Sequence, residues 1–269
     1  MLSQTGRYFF LVFLFLFIIN AADSQDLEVG FQGGGSYYLG DLNPAKHFLN
    51  TQMAYGFMAR YGLDTRWAVK LSGTQGSVKG DASQSGFLPG RGLSFTSKLT
   101  DITAVIEFNF MPYFTGSRMN GISPYIYTGI SVFFFNPMSN GVSLQSLGTE
   151  GQNIGYLGRK PYGTTSLSIP FGLGAKVSLA NRLSLQVYWE LHKTFTDYLD
   201  DVSSTYYLNG RNIKPGDVAA VMSDPTLNHT PGMQRGNDKN NDWYALFGLS
   251  LTYKFNLLAS KKCRDLHHH

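Results

Sequence analysis

Along 167–179 the chain alternates without a fault: Leu167, Ile169, Phe171, Leu173, Ala175, Val177 and Leu179 are interleaved with Ser168, Pro170, Gly172, Gly174, Lys176 and Ser178. Successive side chains of a strand point to opposite faces, so this spacing predicts a strand with one apolar and one polar or small face. Length then separates two settings. A strand in a soluble sandwich commonly has about 5–6 residues, whereas a tilted strand crossing a bilayer needs about 9–11. The same pattern returns in Leu183, Leu185, Val187, Trp189 and Leu191, and in Trp243, Ala245, Phe247, Leu249, Leu251, Tyr253 and Phe255, with aromatics at the ends as an interfacial girdle requires.

Weaker alternation over 27–39, 52–62, 66–79, 95–111 and 122–135 brings the expected total to eight strands. The connections alternate in length: Leu63-Asp64-Thr65, the Thr115–Gly121 turn and Ala180-Asn181-Arg182 are short, while 40–51, 80–94, 136–165 and 199–241 are long. Residues 23–256 therefore read as an all-β domain, an eight-stranded antiparallel transmembrane β-barrel with short periplasmic turns and long extracellular loops. The rival is a soluble lipocalin-like barrel, whose apolar face would line an internal ligand cavity.

Composition narrows the function classes. Charged residues make up 15% of the 269 positions and aromatics 14%, and 22 Lys+Arg against 18 Asp+Glu leave a net charge of +4, too mild to imply a nucleic-acid partner. A single Cys rules out an internal disulfide framework and a Cys-rich zinc site. Residues 1–22 hold Arg7, the apolar run Tyr8–Ile19 and the small residues Ala21 and Ala22, and read as a secretory signal peptide, with an uncleaved anchor as the alternative. The expected location is the cell outer membrane, among its lipids. Residues 257–269 form a short periplasmic tail whose last three histidines look like a tag remnant.

With the apolar face turned to lipid, the lumen receives Glu28, Arg60, Lys70, Glu107, Lys176, Glu190 and Lys254, charges of both signs. Most lie toward the short turns, so one paired layer near the periplasmic mouth is expected, read as a structural plug with an ion or proton relay as the alternative. At the opposite rim, Asp197, Asp200 and Asp201 should meet Arg235, Asp238 and Asp242 at the base of the longest loop. Salt bridges and Asx turns ordering the loop are one account and a divalent cation the other. Asp197, Asp200, Asp201 and His229 are the residue types of a hydrolytic rim site, but their spacing holds no imidazole against a nucleophile. No cofactor or metal is expected. In the tail, Cys263 reads as an exposed thiol or as half of an intermolecular pair.

Longer strings carry a resemblance. Gly40-Asp41-Leu42-Asn43-Pro44, Phe135-Asn136-Pro137, Leu147-Gly148-Thr149-Glu150-Gly151, Ser168-Ile169-Pro170-Phe171-Gly172, the run Lys193–Ser203, and Gln234-Arg235-Gly236-Asn237 through Asn240-Asn241-Asp242-Trp243-Tyr244 to Leu251–Phe255 resemble the PorG-like outer-membrane barrels of the type IX secretion system. The resemblance implies a non-enzymatic barrel that helps anchor a periplasmic ring, built from a lipoprotein and its partner, to the outer membrane. Docking through Lys261, Lys262, Cys263 and Arg264 is the expectation that follows for the tail. A small outer-membrane channel or ligand-binding barrel is the alternative function.

Overall fold

The computed structural model describes residues 26–256 except 213 and 215. The expected signal peptide and the docking residues Lys261, Lys262, Cys263 and Arg264 lie outside the described residues. Eight long strands follow one another: β1 (Asp26–Leu39), β2 (Gln52–Gly62), β3 (Trp67–Asp81), β4 (Ser94–Asn109), β5 (Ile122–Ser139), β6 (Thr165–Ala180), β7 (Leu183–Thr194) and β8 (Trp243–Asn256). Each pairs antiparallel with its sequence neighbours, and β1 pairs with β8 from Asp26↔Asn256 to Leu39↔Trp243, which closes the sheet into a barrel. Closure removes the open edges that a sheet of this length would otherwise expose.

The alternation chooses the faces. Phe31, Phe57, Leu71, Ile102, Ile130, Leu173, Leu249 and Leu251 point outward, with Leu173 at 52% and Leu249 at 54% exposure, while their sequence neighbours are turned into the barrel. The result is a continuous outward belt of large apolar side chains, the inverse of a soluble barrel with an apolar interior.

At one end β2–β3 and β6–β7 are joined by tight turns, the second following a register shift between Ser178 and Ala180. The third connection at this end departs from the expected short turn. It runs from 110 to 121 and folds back over the mouth, burying Tyr113 and Thr115. At the other end the connections 40–51, 82–93, 140–164 and 195–242 pack together above the barrel, with short helices at Ala82–Ser85, Leu144–Leu147 and Val218–Ser223. Leu42, Phe95, Leu144, Leu199, Val202 and Tyr244 join these loops to the strands in one buried apolar cluster.

Candidate functional site

The lumen is filled by side chains from every wall. Glu28 and Arg60 are directly opposed on β1 and β2 and form an ion pair. Arg60 also lies 3.7 Å from Glu107, which takes a 2.5 Å contact from Lys176 and stands 3.9 Å from Lys70. Lys70 in turn reaches Glu190 at 3.9 Å. Three carboxylates thus meet three cations, the arrangement that makes burying six charges tolerable, since an unpaired one costs several kcal/mol. Two further groups complete the shell: Thr115 from the folded-back connection donates to Glu28 at 2.6 Å, and Thr252 donates to it at 2.9 Å.

Small residues on β6 make room for the aromatic part of this filling. A Cβ on Gly172 would lie 2.0 Å from the Tyr127 ring, and one on Gly174 would lie 2.8 Å from that of Tyr125. The two rings stack 5.6 Å apart and cover the ammonium groups of Lys70 and Lys176 at 4.1 and 4.2 Å from their centroids. The ions are thereby boxed in by π faces as well as by opposite charges.

Toward the long-loop end, His192 places Nε2 2.5 Å from Glu190 and Nδ1 3.0 Å from the Ser168 hydroxyl. A serine, an imidazole and a carboxylate in line have the connectivity of a hydrolytic triad. All three are buried, His192 stacks on Tyr244 at 4.3 Å, and Tyr244 closes the space by donating to Asp101 at 2.6 Å. The set forms a buried hydrogen-bonded crosslink between β6 and β7.

Above the barrel lies a second polar network, at the rim. The Tyr38 hydroxyl donates to Asp200 at 2.5 Å and lies 3.0 Å from Asp242, while the N–H groups of Val202 and Leu199 donate to the same two carboxyls. Arg235, fully buried, donates to Glu150 and to the Asp201 carbonyl, both at 2.5 Å, and to the Ser223 carbonyl at 3.1 Å. Asp201 holds a left-handed backbone at φ 63°, where its carboxyl accepts from Thr149 and, at 2.5 Å, from Tyr162. Burial pushes Asp201 up to about 6 against the pull of Arg235. Asp200 and Asp242 are raised well above the carboxylate range, first by burial and then by neighbouring acids, Asp41 for the former and Asp200 for the latter. Asp197 is pushed up to about 9, chiefly by burial, and both its oxygens lack a hydrogen-bond partner.

A family model described as a domain of unknown function (DUF6089) matches residues 7–263. The chain belongs to the DUF6089 family. No curated protein matches this DUF6089 chain. Among solved structures it is similar to Ail, the attachment invasion locus protein of Yersinia pestis, at 12% identity over 87% of this chain and 100% of that one, with a TM-score of 0.43. It is likewise similar to Neisserial surface protein A (10%, 86% and 96%, 0.42) and to the outer membrane protein OprG from Pseudomonas aeruginosa (14%, 88% and 98%, 0.37).

The sequence-predicted residues of the DUF6089 chain fall into four places. Glu28, Arg60, Lys70, Glu107, Lys176 and Glu190 meet in the lumen, but they climb the barrel instead of forming one layer at the mouth, because Lys70 reaches up to Glu190 and through it to His192. Lys254 stands apart at the mouth, 3.3 Å from Asp26. At the rim Asp201 meets Arg235, and Asp200 and Asp242 share Tyr38, whereas Asp238 is exposed and outside the network. His229 pairs with Asp224 at 2.8 Å and stacks on Tyr206, and forms no ion pair with Asp197, Asp200 or Asp201 among the described residues. Among the described residues no group of three or more His, Cys, Asp or Glu is arranged to hold a metal ion. Sequence reasoning missed Tyr38, Glu150 and Thr115. Glu150 lies within a resembling string, yet a lone Glu in a loop has no spacing that announces a buried partner 85 residues away.

Proposed function

We propose that this DUF6089 barrel resides in the outer membrane and acts, without catalysis, as an assembly and anchoring component of a type IX protein secretion machine, docking a periplasmic ring complex. The observation that carries the reading is the filled lumen. Its six charges are paired and buried, with Tyr125, Tyr127, Tyr113 and Thr115 packed around them, so the side chains that fill the barrel are committed to one another. Function then belongs to the outward surfaces: the apolar belt, the turns and tail at one end, and the loops at the other.

Two further points support the reading. A belt of large exposed apolar side chains around a closed barrel is stable where lipid covers it. The strings that resemble the PorG-like barrels also converge in space: Asp41, Glu150, Asp200, Asp201, Arg235 and Asp242 all belong to the rim network or border it. The test is affinity isolation of the barrel from detergent-solubilised outer membranes, followed by identification of what accompanies it. A periplasmic lipoprotein and its ring partner in stable proportion to the barrel are expected. Their absence from a preparation that keeps the barrel folded would refute the secretion role.

A further inference from the structure

Outside the rim, a cleft of about 820 Å³ opens between the loops 40–51 and 82–93 and the segment 234–243. Its lower wall is made by Leu39, Trp243 and Lys193, cross-strand neighbours on β1, β8 and β7 that share the outward face with the apolar belt. The Lys193 ammonium lies 5.8 Å from the Trp243 ring centroid. Phe87 and Leu88 hang over the cleft from the second loop, both strongly exposed. The cleft therefore continues the belt at its long-loop edge.

Its charge is one-sided. Arg91, Lys193, Arg235 and Lys239 line it against a single acid, Asp41. Arg235 is neutralised by Glu150, and Asp41 accepts from the Asn237 N–H at 2.7 Å. Arg91 is different. It is 5% exposed, and its terminal nitrogens donate to the Arg235 and Asp41 carbonyls, each at 2.6 Å. Its Nε is buried without a partner, and the nearby Asp41 carboxyl acts on the guanidinium without forming an ion pair with it. Main-chain carbonyls orient a guanidinium but do not cancel its charge, so a buried arginine of this kind favours an anion that comes from outside the chain.

We propose that this cleft binds the phosphate of an outer-leaflet lipid headgroup, with Arg91, Lys193 and Lys239 facing the phosphate and Leu39, Trp243, Phe87 and Leu88 flanking the start of the acyl chains. The inference rests on the outer-membrane reading above. A lipid is the occupant, and not a soluble anion, because the lower wall belongs to the outward barrel face, where an aromatic and a lysine at the end of an apolar belt mark headgroup level.

The test uses the full chain folded into vesicles of the phosphate-free lipid digalactosyldiacylglycerol containing either bis-phosphorylated lipid A or the same lipid with its phosphates removed, then extracted in mild detergent for native mass spectrometry. Retention of one phosphorylated lipid, about tenfold above the dephosphorylated form, is expected, with a loss of about tenfold in Arg91→Gln and in Lys193→Gln/Lys239→Gln. The double-lysine variant decides the matter if Arg91→Gln does not fold. Equal retention of the two lipids, or undiminished retention in the variants that fold, overturns the site. Displacement of the lipid by millimolar inorganic phosphate would assign the cleft to a soluble anion and overturns it as well. A barrel that inserts into neither vesicle, judged by circular dichroism and heat-modifiable gel mobility, would overturn the membrane reading itself, so the two failures are distinguishable.

Discussion

Single side chains in this barrel are stabilised by what surrounds them, and two of them expose that dependence. Glu107 is shared by Lys176, Lys70 and Arg60, so Glu107→Ala leaves three cations with two carboxylates. Removing one partner of a buried network costs about 3–5 kcal/mol, while Lys160→Ala, on an exposed loop residue, should stay within about 0.5 kcal/mol. Urea unfolding of the inserted barrel, read by tryptophan fluorescence, checks both. Asp197 works in the opposite direction. Its carboxyl is pushed up to about 9 in the folded state and returns to about 3.9 on unfolding, so the native rim holds the extra proton. Its stability is then full below about pH 4 and is lost as pH rises toward 9, by at most about 1.4 kcal/mol per pH unit. Asp201, raised to about 6, adds to the lower part of that window. Proteolysis of the 199–241 loop should accelerate from pH 5 to pH 8.5. In Asp197→Asn that slope should flatten and the loop should be more resistant at the alkaline end. An unchanged slope would mean that Asp197 is solvated.

At the scale of elements, period-two alternation did most of the work, and it did so because a bilayer-facing strand must keep its polar side chains on one side throughout its length. Every expected strand exists. The observed ends at Asp81 and Ser139 run two and four residues past the expected ones, since the loop ends of β3 and β5 pair with neighbours after the apolar signal has stopped. The connections were less legible. The strand expected to reach 111 stops at Asn109 and the turn expected over Thr115–Gly121 is part of a longer inward fold, because that fold depends on Thr115, bonded to Tyr113, finding Glu28 across 87 residues. The rim was partly legible: the meeting of Asp200 and Asp242 followed from the β7–β8 hairpin, whereas their common ligand Tyr38 comes from β1, which barrel closure alone brings beside β8. The facing of the strands can be tested directly. Leu173→Arg or Leu249→Arg should cost about 2–4 kcal/mol near a bilayer midplane, measured by unfolding from vesicles, and a harmless Arg at Leu173 would mean that this face does not meet lipid.

For the whole molecule, the filled lumen bears on transport and the two ends of the barrel on docking. With Lys70, Lys176, Glu107 and Glu190 paired across its width, the purified barrel in planar bilayers should carry no steady ion current, and stable open-channel steps would favour the channel alternative. The docking proposed above would use surface at the short-turn end. There the turns offer little area: Asp64 and Arg66 form a tight loop, with the Asp64 carboxylate capping the N–H groups of Arg66 and Trp67 at 2.6 and 2.7 Å, and Asn181-Arg182 is a two-residue reversal. The 110–121 connection spends its residues on closing the mouth. Among the described residues the β1–β8 ladder runs to the Asp26↔Asn256 pair, and the sequence continues past it with Lys261, Lys262, Cys263 and Arg264. About ten residues offer a partner more contact area than a two-residue turn can. A chain ended at Asn256 should therefore insert and keep its closing strand, with unchanged heat-modifiable mobility, yet bring down the ring proteins in much lower yield. Cys263→Ser in the full-length chain separates a covalent link from an electrostatic one: loss of a reducible adduct with retention of the ring proteins would assign the docking to the basic residues. If the truncated barrel still recovers the ring at full yield, the tail is excluded, and the turns or the loop end must make the contact.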